Sequence, residues 1–239
     1  MSKLKVLDLF SGIGGFSLGL ERTGGFETVA FCEIEEFPRK ILAKHWPGVP
    51  CFPDVRKLRA EDVEPVDVIC GGFPCQDISI ANSGAQSGID GARSGLWAEF
   101  FRQICEHRPS WAVIENTPAL RRRGLRRILV ELSEIGYDAE WHCIPATAVD
   151  APSSRDRVWI ISYPAGVRNG LPQEQVLSRR HFVEHVHRWE ALPGVCPVAD
   201  GLPYQVDRLK ALGNSVVPRI LEIIGHAILE AEADWGLAA

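Results

Sequence analysis

The feature that most constrains this chain is a recurrence of short apolar runs, each ending at glycine or a polar turn and most of them followed by helical periodicity. Lys5–Phe10, Thr28–Cys32, Val66–Cys70, Trp111–Ile114 and Arg157–Ser162 are too short for buried helices, which predicts buried strands. Between them Glu36–His45 reads as a helix, with Pro38 tolerable only in its first turn. Leu96–His107 places Leu96, Phe100 and Ile104 on one face. Leu125–Ile135 does the same with Leu125, Ile128, Leu129, Leu132 and Ile135, and Gly136 is a natural stop. Such alternation predicts right-handed crossovers and a mostly parallel α/β sheet with helices on both faces. After Tyr163-Pro164 the chain is irregular to about Gln205, with four arginines, three histidines and four acids. Regularity returns at Arg219–Ala231, where Ile220, Ile223, Ile224, Ala227 and Ile228 form an apolar face. The expected organisation is a main domain over 1–162, a small irregular region over 163–205, and a segment over 206–239 that returns to the main domain.

Composition narrows the class. With 46% hydrophobic residues in 239, the chain can bury a sizeable core and is not a disordered one. No stretch approaches the roughly 20 apolar residues of a membrane span, and MSKLKVLDLF runs into a glycine turn rather than a signal-peptide cleavage site. Cysteines stand at 32, 51, 70, 75, 105, 143 and 196, an odd number with no Cys-x-x-Cys, so no metal site or disulfide framework is expected. Reduced thiols in the cytoplasm follow as the expectation. A net charge of −5 gives no global basic footprint for nucleic acid, which leaves only a local one.

Seven segments, most of them at the ends of predicted strands or beside the terminal helix, carry chemically useful residues. Asp8-Leu9-Phe10-Ser11-Gly12-Ile13-Gly14-Gly15 takes a strand through glycines into a helix, the place where ligands of open α/β sheets bind. It lacks the G-x-G-x-x-G spacing, and a plain tight turn is the alternative. Cys32-Glu33 puts an acid at the end of the second strand, suited to ribose hydroxyls or to a helix N-terminus; Asp54-Val55 is a third such point. Gly71-Gly72-Phe73-Pro74-Cys75-Gln76-Asp77-Ile78-Ser79 holds a cysteine just past a rigid turn, where a nucleophile would sit if its thiolate were stabilised. Ile80–Gly95, with glycines at 84, 88, 91 and 95, is a candidate lid. Glu115-Asn116-Thr117 offers a carboxyl in the same cleft, and Ser153-Ser154-Arg155-Asp156-Arg157 offers two guanidinium groups at alternate positions. Leu212-Gly213-Asn214-Ser215-Val216-Val217-Pro218 reads as a polar turn capping the terminal helix. Five arginines in seven residues, Arg121–Arg123 with Arg126 and Arg127, read as a solvated helix start or as phosphate contacts.

Together and in this order the segments resemble the cytosine-5 DNA methyltransferase family. DLFSGIGGF resembles its first cofactor motif, GGFPCQDIS its catalytic motif, ENT its glutamate motif, SSRDR its arginine motif and GNSVVP its last motif. The resemblance covers about residues 4–162 and 206–230. Two departures stand out: Ser153 where the family usually has Gln, and Thr117 where it usually has Val.

The resemblance implies an S-adenosylmethionine-dependent methyltransferase (Rossmann-like) fold with a small target recognition insert at 163–205. It implies transfer of a methyl group to carbon 5 of a flipped cytosine through a cysteine adduct. Cys75, Glu115, Arg155 and Arg157 are the catalytic set, with Arg155 holding the base. S-adenosylmethionine would meet Asp8, Phe10, Gly12, Gly14, Glu33, Ile34, Asp54, Val55, Asn214 and Ser215. Duplex DNA would meet Gln76, Ser79, Arg93, Arg168, Arg179 and Arg180, and the insert would read two to four base pairs. The implied protein is a cytoplasmic monomer of prokaryotic or phage origin, without metal or membrane. A cognate restriction nuclease is its partner if it belongs to a restriction-modification pair. The alternatives are a tRNA cytosine-5 methyltransferase, whose relatives usually carry Pro-Pro-Cys rather than Phe-Pro-Cys, and an inactive nucleic-acid binder.

Overall fold

A computed structural model of the chain describes residues 2–74, 95–151, 154–167, 175–185 and 205–236. In chain order the elements are β1 (Leu4–Leu9), α1 (Gly15–Arg22), β2 (Phe26–Cys32), α2 (Glu36–His45), β3 (Cys51–Phe52), β4 (Val68–Gly72), α3 (Leu96–His107) and β5 (Trp111–Asn116). They continue with α4 (Leu120–Arg123), α5 (Leu125–Glu134), β6 (Tyr137–Pro145), β7 (Asp156–Pro164), α6 (Arg179–His185), α7 (Gln205–Asn214) and α8 (Pro218–Trp235). The strands form one seven-stranded sheet in the order β3-β2-β1-β4-β5-β7-β6. Strands β3, β2, β1, β4 and β5 are mutually parallel; β7 enters antiparallel between β5 and β6. The chain winds outward from β1 to β3, then restarts on the other side with β4. That reversal opens a crevice beyond the carboxyl ends of β1 and β4, where such sheets bind ligands.

Successive side chains of a strand point to opposite faces, and two cores follow from this. One face carries Val6, Val68, Cys70, Trp111, Val113, Trp159 and Ile161, covered by Phe16 and Leu20 of α1 and by Ile220, Leu221, Ile223, Ile224, Ala227 and Ile228 of α8. The other carries Leu7, Leu9, Ile69, Ala112, Ile114 and Ile160, covered by α3 and α5. The same alternation sends Asp8 of β1, Glu115 of β5 and Arg157 of β7 toward the α1–α8 face, at the crevice end of the sheet.

The five predicted strands all appear, and helices α2 and α3 have the predicted bounds. Strands β3 and β6 are additions: β3 is two residues long, and β6 is an edge strand whose exposed Asp138, Trp141 and Cys143 break any apolar run. Helix α7 is a further addition and takes in the first three residues of the predicted Leu212–Pro218 turn, whose remainder leads into the last helix without a side-chain cap. Val217 is the N-cap of α8, without a side-chain cap, and Pro218 opens the helix. Within Lys210–Trp235, an 18-residue stretch is apolar enough to cross a membrane by length and composition alone. Its apolar residues in α8 are buried against the sheet, as in a core helix. Trp111 Nε1 donates to Glu232 Oε1 at 2.6 Å and its ring stacks on Trp235, locking the C-terminal end of α8 to the start of β5.

Close approach of α8 to α1 explains two glycines. A Cβ on Gly19 would stand 2.2 Å from the Pro218 carbonyl oxygen, and one on Gly15 would stand 2.8 Å from Val216 Cγ2. The close packing of α1 against residues 216–221 is therefore built into the sequence of α1.

Candidate active site

The loop between β1 and α1 is drawn against the end of β2. Ser11 N donates to Cys32 O, and Cys32 N returns a bond to Ser11 Oγ at 3.2 Å. Gly12 N donates to Glu33 Oε2 at 2.7 Å, and Glu35 N donates to Glu33 Oε1 at 2.8 Å. Glu33 in turn is fixed to β3 through its own N–H on Phe52 O. Phe10 has a φ of 53°, a strained choice for a non-glycine residue, and its ring stacks on Phe100 at 6.3 Å. The glycines divide by role. Gly12 has a positive φ and nothing within 4 Å of where a Cβ would be, so it lines open space. A Cβ on Gly14 would strike Trp46 at 2.6 Å, so Gly14 serves packing. Trp46 is itself held by a bond from Nε1 to Glu21 Oε2; nothing in the sequence marks it for that task.

Asp8 is fully buried beneath this loop. Its Oδ2 accepts from Ser17 Oγ at 2.7 Å and from Ser17 N at 3.3 Å, so it ties β1 to α1 and does not face the crevice. Burial pushes its carboxyl up to about 7, against the two Ser17 bonds. A carboxyl raised in the folded state binds its proton there while the unfolded chain has lost it, so stability falls as pH rises from about 4 to about 7. We expect Asp8→Asn to flatten the pH dependence of urea unfolding in that window, by up to a few kcal/mol. Superimposable pH profiles for the two proteins would contradict this.

Beyond β3, Asp54 is gripped by its neighbour: Arg56 Nε donates to Oδ1 at 2.9 Å and Nη2 to Oδ2 at 3.1 Å, which holds its carboxyl below the usual range. Helix α3 pins the backbone that follows. Arg102 Nη2 donates to Val55 O at 2.7 Å, while Arg102 Nη1 and Gln103 Nε2 both donate to Leu58 O. Ile34 stands 64% exposed beside Glu33. Neither pinning residue is marked in the sequence, because each reaches across more than 40 positions.

The second half of the crevice lies at β4, β5 and β7. Glu115 faces Gly72 of β4 and Trp159 of β7 in the sheet register. Arg157 Nε lies 2.6 Å from Glu115 Oε1, although the N–H is not aligned on the oxygen. Burial raises the Glu115 carboxyl, and the Arg157 and Arg155 charges oppose that without cancelling it. A Cβ on Gly72 would come within 2.6 Å of Glu115 Oε2, so glycine is needed there to seat the carboxyl. On the opposite face Asn116 Nδ2 donates to Phe73 O at 3.2 Å, and Thr117 N donates to Asn116 Oδ1. Asn116 thus clamps the chain two residues before Cys75, a function its neighbourhood in the sequence does not reveal.

Arg155 diverges from Arg157. Its Nη1 donates to Gly213 O at 2.6 Å, and Nη2 lies 3.5 Å from Asn214 O, so it gathers the end of α7 onto the sheet. The adjoining Ser215 and Val216 sit against Gly15 at the start of α1. Arg157 is the arginine that lies against Glu115, and the charge of Arg155 also acts on that carboxyl.

Arg179 and Arg180 lie on α6, away from these residues. Arg180 Nη2 pairs with Glu230 Oε2 at 2.9 Å, and Glu230 is twelve residues along α8 from Pro218, about 18 Å down the helix from the crevice. The chain before α6 is bound to the sheet edge, with Val176 N and Leu177 N donating to the two oxygens of buried Glu140. The candidates Cys75, Gln76, Ser79, Arg93 and Arg168, and the Ile80–Gly95 loop up to residue 94, lie outside the described residues. Among the described residues no group of His, Cys, Asp and Glu could hold a metal ion.

The sheet is open with β7 inserted antiparallel, a glycine loop lies over an acid at the end of β2, and a buried glutamate pairs with a partly exposed arginine at the ends of β5 and β7. The model of the C-5 cytosine-specific DNA methylase family matches residues 4–187. The Bacillus subtilis type II methyltransferase M2.BsuMI is 38% identical over 167 residues, covering 66% of this chain and 42% of that protein. The Chlorella virus type II methyltransferase M.CviJI is 33% identical over 218 residues, covering 90% of this chain and 56% of that protein. The solved Entamoeba histolytica methyltransferase EhMeth superposes with a TM-score of 0.71 over 97% of this chain and 99% of its own, at 16% identity, a likeness of fold. The chain belongs to the C-5 cytosine-specific DNA methylase family. It spans about half the length of the curated relatives it matches.

Proposed function

We propose that the protein is a DNA (cytosine-5)-methyltransferase. The observation that carries this reading is Glu115, buried at the end of β5 beside the crevice, raised by that burial, paired with Arg157 and seated on the glycine that leads to Phe73-Pro74-Cys75. Carbon 5 of cytosine is a weak nucleophile. Addition of the Cys75 thiolate to carbon 6 makes the ring an enamine, and carbon 5 then takes the methyl group. Loss of the carbon-5 proton and expulsion of Cys75 restore the ring. Glu115 in its protonated form bonds the ring N3, and Arg157 stabilises the charge that develops. A base inside a duplex must first be flipped out, at a cost of a few kcal/mol.

The crevice suits S-adenosylmethionine, which supplies the electrophilic methyl group when bound. Gly12 lines open space, exposed Ile34 offers an apolar face for a purine, and Glu33 retains lone pairs for ribose hydroxyls. Phe10, Asp54, Val55, Asn214 and Ser215 surround the same opening in this reading. Asp8 and Gly14 support it from behind. Glu33→Ala removes both the ribose acceptor and the anchor of Gly12. It should weaken S-adenosylmethionine binding by at least tenfold in calorimetry, the loss of one or two hydrogen bonds to a charged group. Unchanged affinity would place the cofactor elsewhere.

Residues 163–205 serve target recognition in this reading, for a short site of about two to four base pairs. Val176 and Leu177 are tied to Glu140 and Arg180 to Glu230, so in this reading exposed Arg179 and the rest of the segment supply the reading side chains. The relatives named type II methyltransferases support membership of a restriction-modification pair and a cytoplasmic place of action. Incubation with tritiated S-adenosylmethionine and either duplex DNA or tRNA tests the proposal. Label in 5-methylcytosine of DNA is expected; label in tRNA alone, or in neither, would overturn it.

A further inference from the structure

Five arginines crowd the stretch Arg121–Arg127, in a protein whose net charge is −5. Three belong to α4, which begins four residues after Asn116 at the crevice end of β5. Two occupy the first turn of α5, which holds no acid. That is the wrong end of a helix for cations, because the first turn presents the positive pole of the macrodipole. Like charges in successive turns add to the cost. Arg127 is relieved by Glu131 at 2.8 Å. Among the described residues no carboxylate pairs with Arg121, Arg122 or Arg126, and all three are exposed. Arg121 and Arg126 flank a shallow groove floored by Leu125, Leu129 and Val130. Val130 is 47% exposed on that floor.

The arrangement costs folding free energy unless an anion covers it, and its shape narrows which anion. Charge is spread along a strip, so a polyanion fits better than a single phosphate. An apolar floor between two guanidinium groups suits a sugar flanked by phosphates. The strip also has a fixed place: six residues separate Arg121 from Glu115, a reach of at most about 20 Å. Duplex DNA presents charge every ~1.7 Å along its axis, so its backbone passes within that reach of any base held at Glu115.

We propose that Arg121, Arg122 and Arg126 form a phosphate-binding strip that grips the DNA backbone beside the target cytosine. This rests on the DNA-methyltransferase reading above and adds to it a contact surface outside the 163–205 region. Phosphate contacts fix position and carry no sequence information. The strip therefore sets how strongly DNA is held, whatever its sequence, and not which site is modified.

The test is Arg121→Gln/Arg122→Gln/Arg126→Gln in the full chain, with fluorescence anisotropy on a 25-base-pair duplex across a salt series. A Lys44→Gln variant serves as a control for an exposed charge elsewhere. The triple variant should bind DNA at least tenfold more weakly at low salt. Its slope of log K against log salt should be shallower by about 0.9 for each lost contact, up to about 2.7. Its S-adenosylmethionine affinity and the set of methylated sites should stay as in the wild type, and its thermal midpoint should hold or rise, since like charges are removed. A slope and affinity equal to those of the wild type would overturn the strip, as would a fall in affinity matched by Lys44→Gln. Loss of self-association with DNA binding intact would also overturn it, by showing that the surface meets protein. If the wild type itself neither binds nor methylates DNA, the functional reading fails, which is distinguishable from failure of the strip alone.

Discussion

Glu115→Gln is expected to lower turnover on duplex DNA by roughly 10²–10⁴-fold, the size found for a positioned acid that also stabilises developing charge. The residue is 7% exposed, and burial raises its carboxyl against the pull of Arg157 and Arg155. Its acid form therefore persists to higher pH than that of a carboxyl in water, and the activity it supports is lost as pH rises through that raised value. Glutamine keeps the shape and has nothing to titrate, so the variant should lose this limb of the pH profile along with its rate. Because Glu115 sits across the crevice from Glu33 and Gly12, S-adenosylmethionine affinity should stay within about twofold. Single-turnover rates and calorimetry on the same preparation check both halves. A variant with near-normal turnover would remove Glu115 from the chemistry.

Cys75→Ala is expected to reduce methylation below detection, because no other group on the strand ends described here can add to carbon 6. The remaining thiols nearby are poor substitutes. Cys70 is fully buried and its thiol is pushed well up, and burial raises Cys32 to about 12; neither supplies thiolate near neutrality. The chain leading to Cys75 is held firmly: Phe73 is 2% exposed and its carbonyl is bonded by Asn116. DNA affinity should survive the substitution, since the change removes one sulfur and no charge contact. Methylation retained at even a few per cent would contradict the assignment.

Much of this site is legible in the sequence because its parts sit at strand ends. Buried parallel strands are apolar runs, and the first polar residue after each one marks the crevice, which is how Glu33 and Glu115 stand out. Glycine marks close approach, and Gly12, Gly14, Gly15 and Gly72 all answer to a physical need, although only the structure tells an open cradle at Gly12 from a packing contact at Gly14. What escapes the sequence is pairing at long range. Arg155 meets Gly213 across 58 positions and Arg180 meets Glu230 across 50, so neither partner can be inferred from spacing. Both alternate arginines act on the Glu115 carboxyl through their charge, while Arg155 also holds the end of α7. Strand β6 escapes for another reason: on an edge its outward residues need no apolar character, and one of its buried side chains is a glutamate that holds the backbone of 176–177.

Trapping with DNA that carries 5-fluorocytosine tests the central claim most directly. After methyl transfer the fluorine on carbon 5 cannot leave as a proton does, so the enzyme that has added its thiolate to carbon 6 stays joined to the DNA. Wild-type protein incubated with S-adenosylmethionine and such a duplex should give a complex that survives denaturing electrophoresis, and peptide mapping should place the link at Cys75. Cys75→Ala should give none. A denaturation-resistant complex formed by Cys75→Ala, or a wild-type enzyme that methylates cytosine and yet is never trapped, would contradict the account.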